Sequence, residues 1–281
     1  MPIARVVSAL FAFAVALLVA WVGLPLLAPV YLGLAFVAIQ EYTMMMNLRG
    51  IPIRRRSLWV ATVLMLPAAL PLSYPGMPML HEGFSWREAL LGVFAVYLVT
   101  LEIIRPNRNS IYTAVFSLFG FIYIPWLSSY LITLRYTPDG TLGLWYLMLP
   151  LLGLVATDVG GYLFGSLFGR RPLAPLISPK KTLEGAIGGL LLAVAVVLGA
   201  LWLIERFVGL RVEVYDALLF SVLIASAAQL GDLFESLLKR WVGVKDAGVF
   251  LPGHGGVLDR IDSMLFAIPV AYIFVVSFIV P

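Results

Sequence analysis

The sequence predicts an all-α polytopic integral membrane protein of about nine transmembrane helices, with the N-terminus cytosolic and the C-terminus extracytosolic. Three observations predict it. Of 281 residues, 62% are hydrophobic and only 12% are charged, about half the charged share of an ordinary soluble domain. Several apolar runs reach the ~20 residues that a helix needs to cross a bilayer. These runs are apolar all round rather than alternating, which excludes a barrel.

Hydropathy places the spans at approximately 5–22, 26–47, 58–72, 87–104, 110–134, 141–165, 183–206, 216–238 and 260–280. In the first, Arg5 precedes an apolar run, and Pro25 leads straight into another run instead of a polar mature segment. It reads as a span and not as a cleaved signal. The third is short and holds Pro67 and Pro71, which suits a tilted or kinked segment. The fifth holds Pro125, a place for a break. Nine spans put fifteen of the 19 Lys and Arg on one side. Only Arg87, Arg135, Arg206 and Arg211 fall on the other, and this asymmetry sets the orientation. With no cysteine, disulfides and thiolate metal sites are excluded. Residues 1–140 read as N-terminal transmembrane helices. Residues 141–281 read as a catalytic transmembrane region with cytosolic loops at 169–182 and 239–259.

The acids point to function. A carboxylate in lipid needs a partner, a cavity or a task. Asp158, Glu184, Asp232, Glu235, Asp246, Asp259 and Asp262 all fall on the cytosolic side, at one rim. A transporter would hold its key acids near the midplane. A site at the rim meets both a soluble cosubstrate and a lipid head group. His81, beside Glu82 in an extracytosolic loop, reads as surface.

Along 229–262 the spacing is informative. Asp232, Glu235/Ser236 and Lys239 share one helical face. Lys239, Arg240 and Lys245 add positive charge at the membrane edge. Residues 252–256 form a low-bulk, glycine-rich loop that can approach a phosphate closely. Asp259 and Asp262 lie one helical turn apart. A loop that only grips anionic lipid explains the cations but not the carboxylates beside them. Carboxylates facing cations suit a metal-assisted phosphoryl site, with Mg²⁺ as the hard cation for oxygen ligands.

The run Ser236-x-Leu238-Lys239-Arg240-x4-Lys245-Asp246-x-Gly248-x2-Leu251-Pro252-x-His254-Gly255-Gly256-Val257-x-Asp259-Arg260-Ile261-Asp262 resembles the signature of the phosphatidate cytidylyltransferase family. A second block agrees. It comprises Asp158-x2-Gly161-Tyr162-x2-Gly165-x2-Phe168-Gly169-Arg170, then Ile177-Ser178-Pro179-Lys180-Lys181-Thr182-x-Glu184-Gly185, then Gly188-Gly189. Its glycines read equally as packing positions between membrane helices. The resemblance covers 155–265; the N-terminal half matches only in being polytopic.

The resemblance implies transfer of the cytidylyl group of CTP to phosphatidate, giving CDP-diacylglycerol and diphosphate, with Mg²⁺ and a second, monovalent cation as candidate cofactors. By resemblance Asp232, Asp259 and Asp262 are the metal carboxylates. Lys239, Arg240, Lys245, Asp246 and His254 join Asp259 and Asp262 as site residues. Ser178, Lys180, Lys181, Thr182 and Glu184 are candidates to hold CTP; the start of a helix beside two lysines suits a triphosphate. The expected partners are the two substrates, the bilayer and a second copy of the chain, with no nucleic acid. The expected location is a bacterial inner membrane, with the site facing the cytosol. The nearest competitor is a CTP-using lipid kinase, which would transfer the γ-phosphoryl group instead.

Overall fold

Helices follow from the apolar runs, because in lipid every backbone polar group must be satisfied within its own segment. The computed structural model of the chain describes residues 14–71, 74, 85–248 and 255–280. His81, Glu82, His254 and the first part of the expected span 5–22 lie outside the described residues. Residues 14–22 are helical. The long helices that follow are α1 (Leu24–Leu48), α2 (Arg55–Ala68), α3 (Trp86–Ile104) and α4 (Ser110–Arg135). After them come α5 (Leu142–Phe168), α6 (Leu183–Val208), α7 (Val214–Val242) and α8 (Leu258–Phe274), the last extended by a π-turn to Ile279.

Among the described residues six helices, α1 and α4 to α8, are long and apolar enough to cross a bilayer. Two expected spans are weaker than hydropathy suggests. α2 has 14 residues, about 21 Å of helix against a hydrocarbon core of ~30 Å. α3 carries Arg87, Glu88 and Glu102 within its 19 residues. Pro125 does not break α4: the helix widens into a π-turn at Ile122–Trp126 and continues. Hydroxyls take up carbonyls there, with Tyr31 donating to Pro125 O at 3.0 Å and Ser128 to Ile124 O at 2.5 Å.

Among the described residues the fold departs from all-α at one hairpin. The loop after α5 folds into a small antiparallel hairpin of β1 (Pro172–Ala174) and β2 (Ser178–Thr182), with Pro172 opposite Thr182 and Ala174 opposite Ser178. Thr182 then caps α6, its Oγ1 accepting from Gly185 N at 3.1 Å.

Among the described residues two large apolar cores result, beside a small cluster of Ala156, Ala193 and Ala225. One joins α1, α2, α3 and the first half of α4. The other joins the end of α4 with α5 and α6. α7 and α8 enter both: Leu238 and Leu258 pack in the first, Phe220 and Phe274 in the second. Where α5 meets α6 the backbones touch. A Cβ on Gly160 would lie 2.8 Å from Gly188 O, and one on Gly189 2.6 Å from Thr157 O. Glycines there permit helix contact at backbone distance, as packing in lipid demands. Arg87 and Arg135, two of the four cations on the minority side, are buried. Arg87 lies 3.5 Å from the Tyr130 ring centroid, and Arg135 donates to Ala20 O and Gly140 O.

Candidate active site

α7 and α8 bring the signature residues together. On α7, the i,i+4 pair Glu235 and Lys239 meets as an ion pair at 2.5 Å, with Glu235 fully buried. The other side of the Lys239 ammonium donates to Asp259 Oδ1 of α8 at 2.6 Å. Asp259 Oδ2 accepts from Ala247 N at 3.0 Å and from Gly256 N at 2.8 Å. One carboxylate thus gathers a cation and both ends of the glycine-rich loop. Gly255 has φ +81°, a backbone that residues with a side chain rarely adopt.

A second group lies deeper. Asp262 is buried and Asp232 half-buried, while Asp158 of α5 is exposed. The three are near enough to feel one another's charge. α7 and α8 touch here, since a Cβ on Gly231 would meet Asp262 O at 2.5 Å. Lys181 of the hairpin reaches across to form an ion pair with Asp232. Farther along α7, Arg240 Nε donates to Ile177 O at 3.2 Å. The hairpin therefore lies along α7, beside the acids. Asp158 and Asp232 each stand ten residues before the end of their helix, about 15 Å along its axis. Both therefore lie well inside their helices.

The other expected residues divide. Glu184 Oε2 accepts from Arg170 N at 3.0 Å and Arg171 N at 3.2 Å, which latches the start of the hairpin to α6. Thr182 is the cap of α6, Ser178 is half-buried in β2, and Lys180 is exposed. Lys245 and Asp246 are exposed on the loop after α7 and make no hydrogen bond or ion pair among the described residues. The loop itself leaves α7 through Gly243 at φ +88°, with Lys239 and Arg240 in the last turn, favourable at a helix C-terminus.

Sequence reasoning missed one residue. α8 has no side-chain cap of its own. Glu41 of α1, 96% buried, supplies it: Val257 N donates to Oε1 at 2.9 Å and Leu258 N to Oε2 at 2.8 Å. The two glycines of the signature make room for it. A Cβ on Gly248 would lie 2.5 Å from Glu41 Oε1, and one on Gly256 2.7 Å from Oε2. The available signal was a lone carboxylate inside an apolar span, which is costly without partners.

The oxygen donors suit a hard cation. Among the described residues no three acidic or histidine side chains stand ready to share a metal. Mg²⁺ does not require that: it is commonly held by one or two carboxylates and completed by waters and substrate phosphates. Asp232 and Asp262, on adjacent helices, fit that role, with Lys181 occupying the space beside Asp232.

Residues 3–278 match the model of the cytidylyltransferase family. A phosphatidate cytidylyltransferase of Staphylococcus epidermidis is 36% identical over 201 residues, 70% of this chain and 74% of the relative. One of Staphylococcus aureus is 37% identical over the same length and shares. One of Staphylococcus haemolyticus is 38% identical over 180 residues, 64% of this chain and 66% of the relative. With Lys239, Asp259 and Asp262 brought together by α7 and α8, and nearly the whole chain matched, this membrane protein belongs to the cytidylyltransferase family.

Proposed function

We propose that this chain transfers the cytidylyl group of CTP to phosphatidate, giving CDP-diacylglycerol and diphosphate for phospholipid synthesis. The observation that carries the reading is the Glu235–Lys239–Asp259 clamp on the same two helices as Asp232 and Asp262, in a chain whose relatives are named phosphatidate cytidylyltransferases.

In the reaction, an oxygen of the lipid phosphate forms a bond to the α-phosphorus of CTP. The bond from that phosphorus to the bridging oxygen of the β-phosphate breaks, and its electrons leave with diphosphate. The nucleophile is already ionised at neutral pH, so no general base is required. Lys180 and Lys181 meet the triphosphate from the hairpin. Lys239 and Arg240 face substrate phosphates from α7, and His254 donates to the leaving diphosphate. Lys239 is held between two carboxylates, so its ammonium is positioned before substrate arrives and needs little reorganisation. Asp232, Asp259 and Asp262 would hold Mg²⁺, which would neutralise charge that builds on the phosphates. A monovalent second cation and a homodimer complete the reading. So does a bacterial inner membrane with the site facing the cytosol.

Diphosphate release by the purified full-length chain in detergent tests the reaction. The expected result is release that requires CTP, phosphatidate and Mg²⁺ together, with a CDP-lipid product. Free CDP with a phosphorylated lipid, formed when an alcohol replaces phosphatidate, would make the protein a kinase instead. Absence of turnover with either lipid would refute both. Orientation has its own test. Reporter fusions should place residues 239–248 in the cytosol and the C-terminus outside; both ends on one side would overturn the nine-span arrangement.

A further inference from the structure

A cavity of about 530 Å³ opens between the end of α1, the first turn of α2 and the end of α3. Arg54, Arg55, Arg56 and Arg105 line it, and no carboxylate does. Two of the four arginines are held. Arg54 Nε donates to Glu102 Oε1 at 2.5 Å, and Arg55 lies over the Trp59 ring, 4.8 Å from its centroid. The side chains of Arg56 and Arg105 make no hydrogen bond or ion pair among the described residues. α2 begins here without a side-chain cap and without an acid in its first turn, so its positive end adds to the field in the cavity. Ser57 Oγ and Tyr97 Oη stand 3.1 Å apart within it and supply hydroxyls.

The surface below the cavity is apolar. Arg56, Val60, Val63 and Leu64 share one face of α2, and Val93 and Tyr97 share one face of α3; the five apolar or aromatic neighbours Val60, Val63, Leu64, Val93 and Tyr97 are all exposed. A soluble anion would use the arginines alone. A phospholipid uses both features, its phosphate among the arginines and its acyl chains along the exposed faces. We propose that this cavity binds the phosphate head group of an anionic phospholipid. The site is separate from the candidate active site. Thr43 and Asn47 of α1 line it, and Thr43 lies two residues, about 200° of helical turn, from Glu41, which faces α8. The assignment is independent of the proposed reaction, since it uses none of the residues assigned to it.

Lipid retention by the intact chain, released from detergent and weighed by native mass spectrometry, tests the assignment. Wild type is compared with the Arg56→Gln/Arg105→Gln double variant and with Arg108→Gln, an exposed arginine outside the cavity. Phosphatidylglycerol, phosphatidylcholine and inorganic phosphate are the probes. Wild type should retain phosphatidylglycerol in preference to phosphatidylcholine. The double variant should bind it roughly thirtyfold more weakly, about fivefold per arginine, while Arg108→Gln matches wild type. Equal loss in Arg108→Gln would reduce the effect to general surface charge and overturn the site. Displacement of the lipid by millimolar inorganic phosphate would make it a soluble-anion site and overturn the lipid assignment. Neither arginine has a partner to lose, so the double variant should elute and melt as wild type does. If it does not, the preference among probes on wild type alone decides.

Discussion

Asp259→Asn is expected to abolish cytidylyl transfer while leaving the protein inserted and folded. The carboxylate has three donors: Lys239 on one oxygen, and the N–H groups of Ala247 and Gly256 on the other. An amide cannot satisfy all of them. With its oxygen toward the loop, its NH₂ confronts the ammonium of Lys239; turned over, the NH₂ confronts two backbone donors. Lys239 would keep only Glu235, and the site would carry one more positive charge. Loss of a preorganised charged group at a reacting phosphate costs on the order of a hundredfold or more in kcat. Removing one member of a partly buried ion pair is also worse than removing both. If Asp259 acts on the metal, any residual rate of the single variant needs more Mg²⁺, whereas a loss through the stranded ammonium leaves the Mg²⁺ dependence unchanged. Asp216→Asn, half-buried in the first turn of α7, is the control. Near-normal turnover of Asp259→Asn would remove the residue from the site.

Much of this site was legible because its geometry is local. Glu235 and Lys239 are four residues apart, and the helix itself brings them together. The glycines of α5 and α6 announced close packing, and Gly160 and Gly189 meet backbone across that contact. What was not legible depends on how segments meet in space. The hairpin holds Pro179 within a strand and lacks the alternation that marks β structure; its form comes from the latch between Glu184 and the Arg170 and Arg171 amides. α8 begins beside the interior of α7, where Gly231 lies against the Asp262 backbone, and linear distance to a span end does not reveal that. Hydropathy counted α2 and α3 among the spans because apolar content alone does not record the 14-residue length of α2 or the three charges of α3.

The second large effect is expected at Glu41, a residue that joins the N-terminal half of the chain to the catalytic helix across 216 positions. Glu41→Ala leaves the N–H groups of Val257 and Leu258 buried without an acceptor. Each such loss costs about 1–3 kcal/mol, and the missing charge at a helix N-terminus adds up to ~2 kcal/mol. No other acceptor reaches these two groups among the described residues, so α8 should fray at its first turn. That turn carries Asp259, and Asp262 follows one turn later. Glu41 touches neither the clamp nor the acids, so it acts as a positioning residue. The expected signature is a kcat reduced about tenfold to a hundredfold, as small misplacement of reacting groups can cost. KM for CTP should change little, because Lys180 and Lys181 sit on the hairpin, whose start is latched to α6 rather than to α8. Half-saturation by Mg²⁺ should move to higher concentration, because Asp262 is displaced from Asp232. Glu41→Gln keeps one acceptor oxygen and should fall between wild type and Glu41→Ala in all these measurements. A lowered melting temperature alone, with kcat and Mg²⁺ dependence unchanged, would make Glu41 a brace of the fold and nothing more.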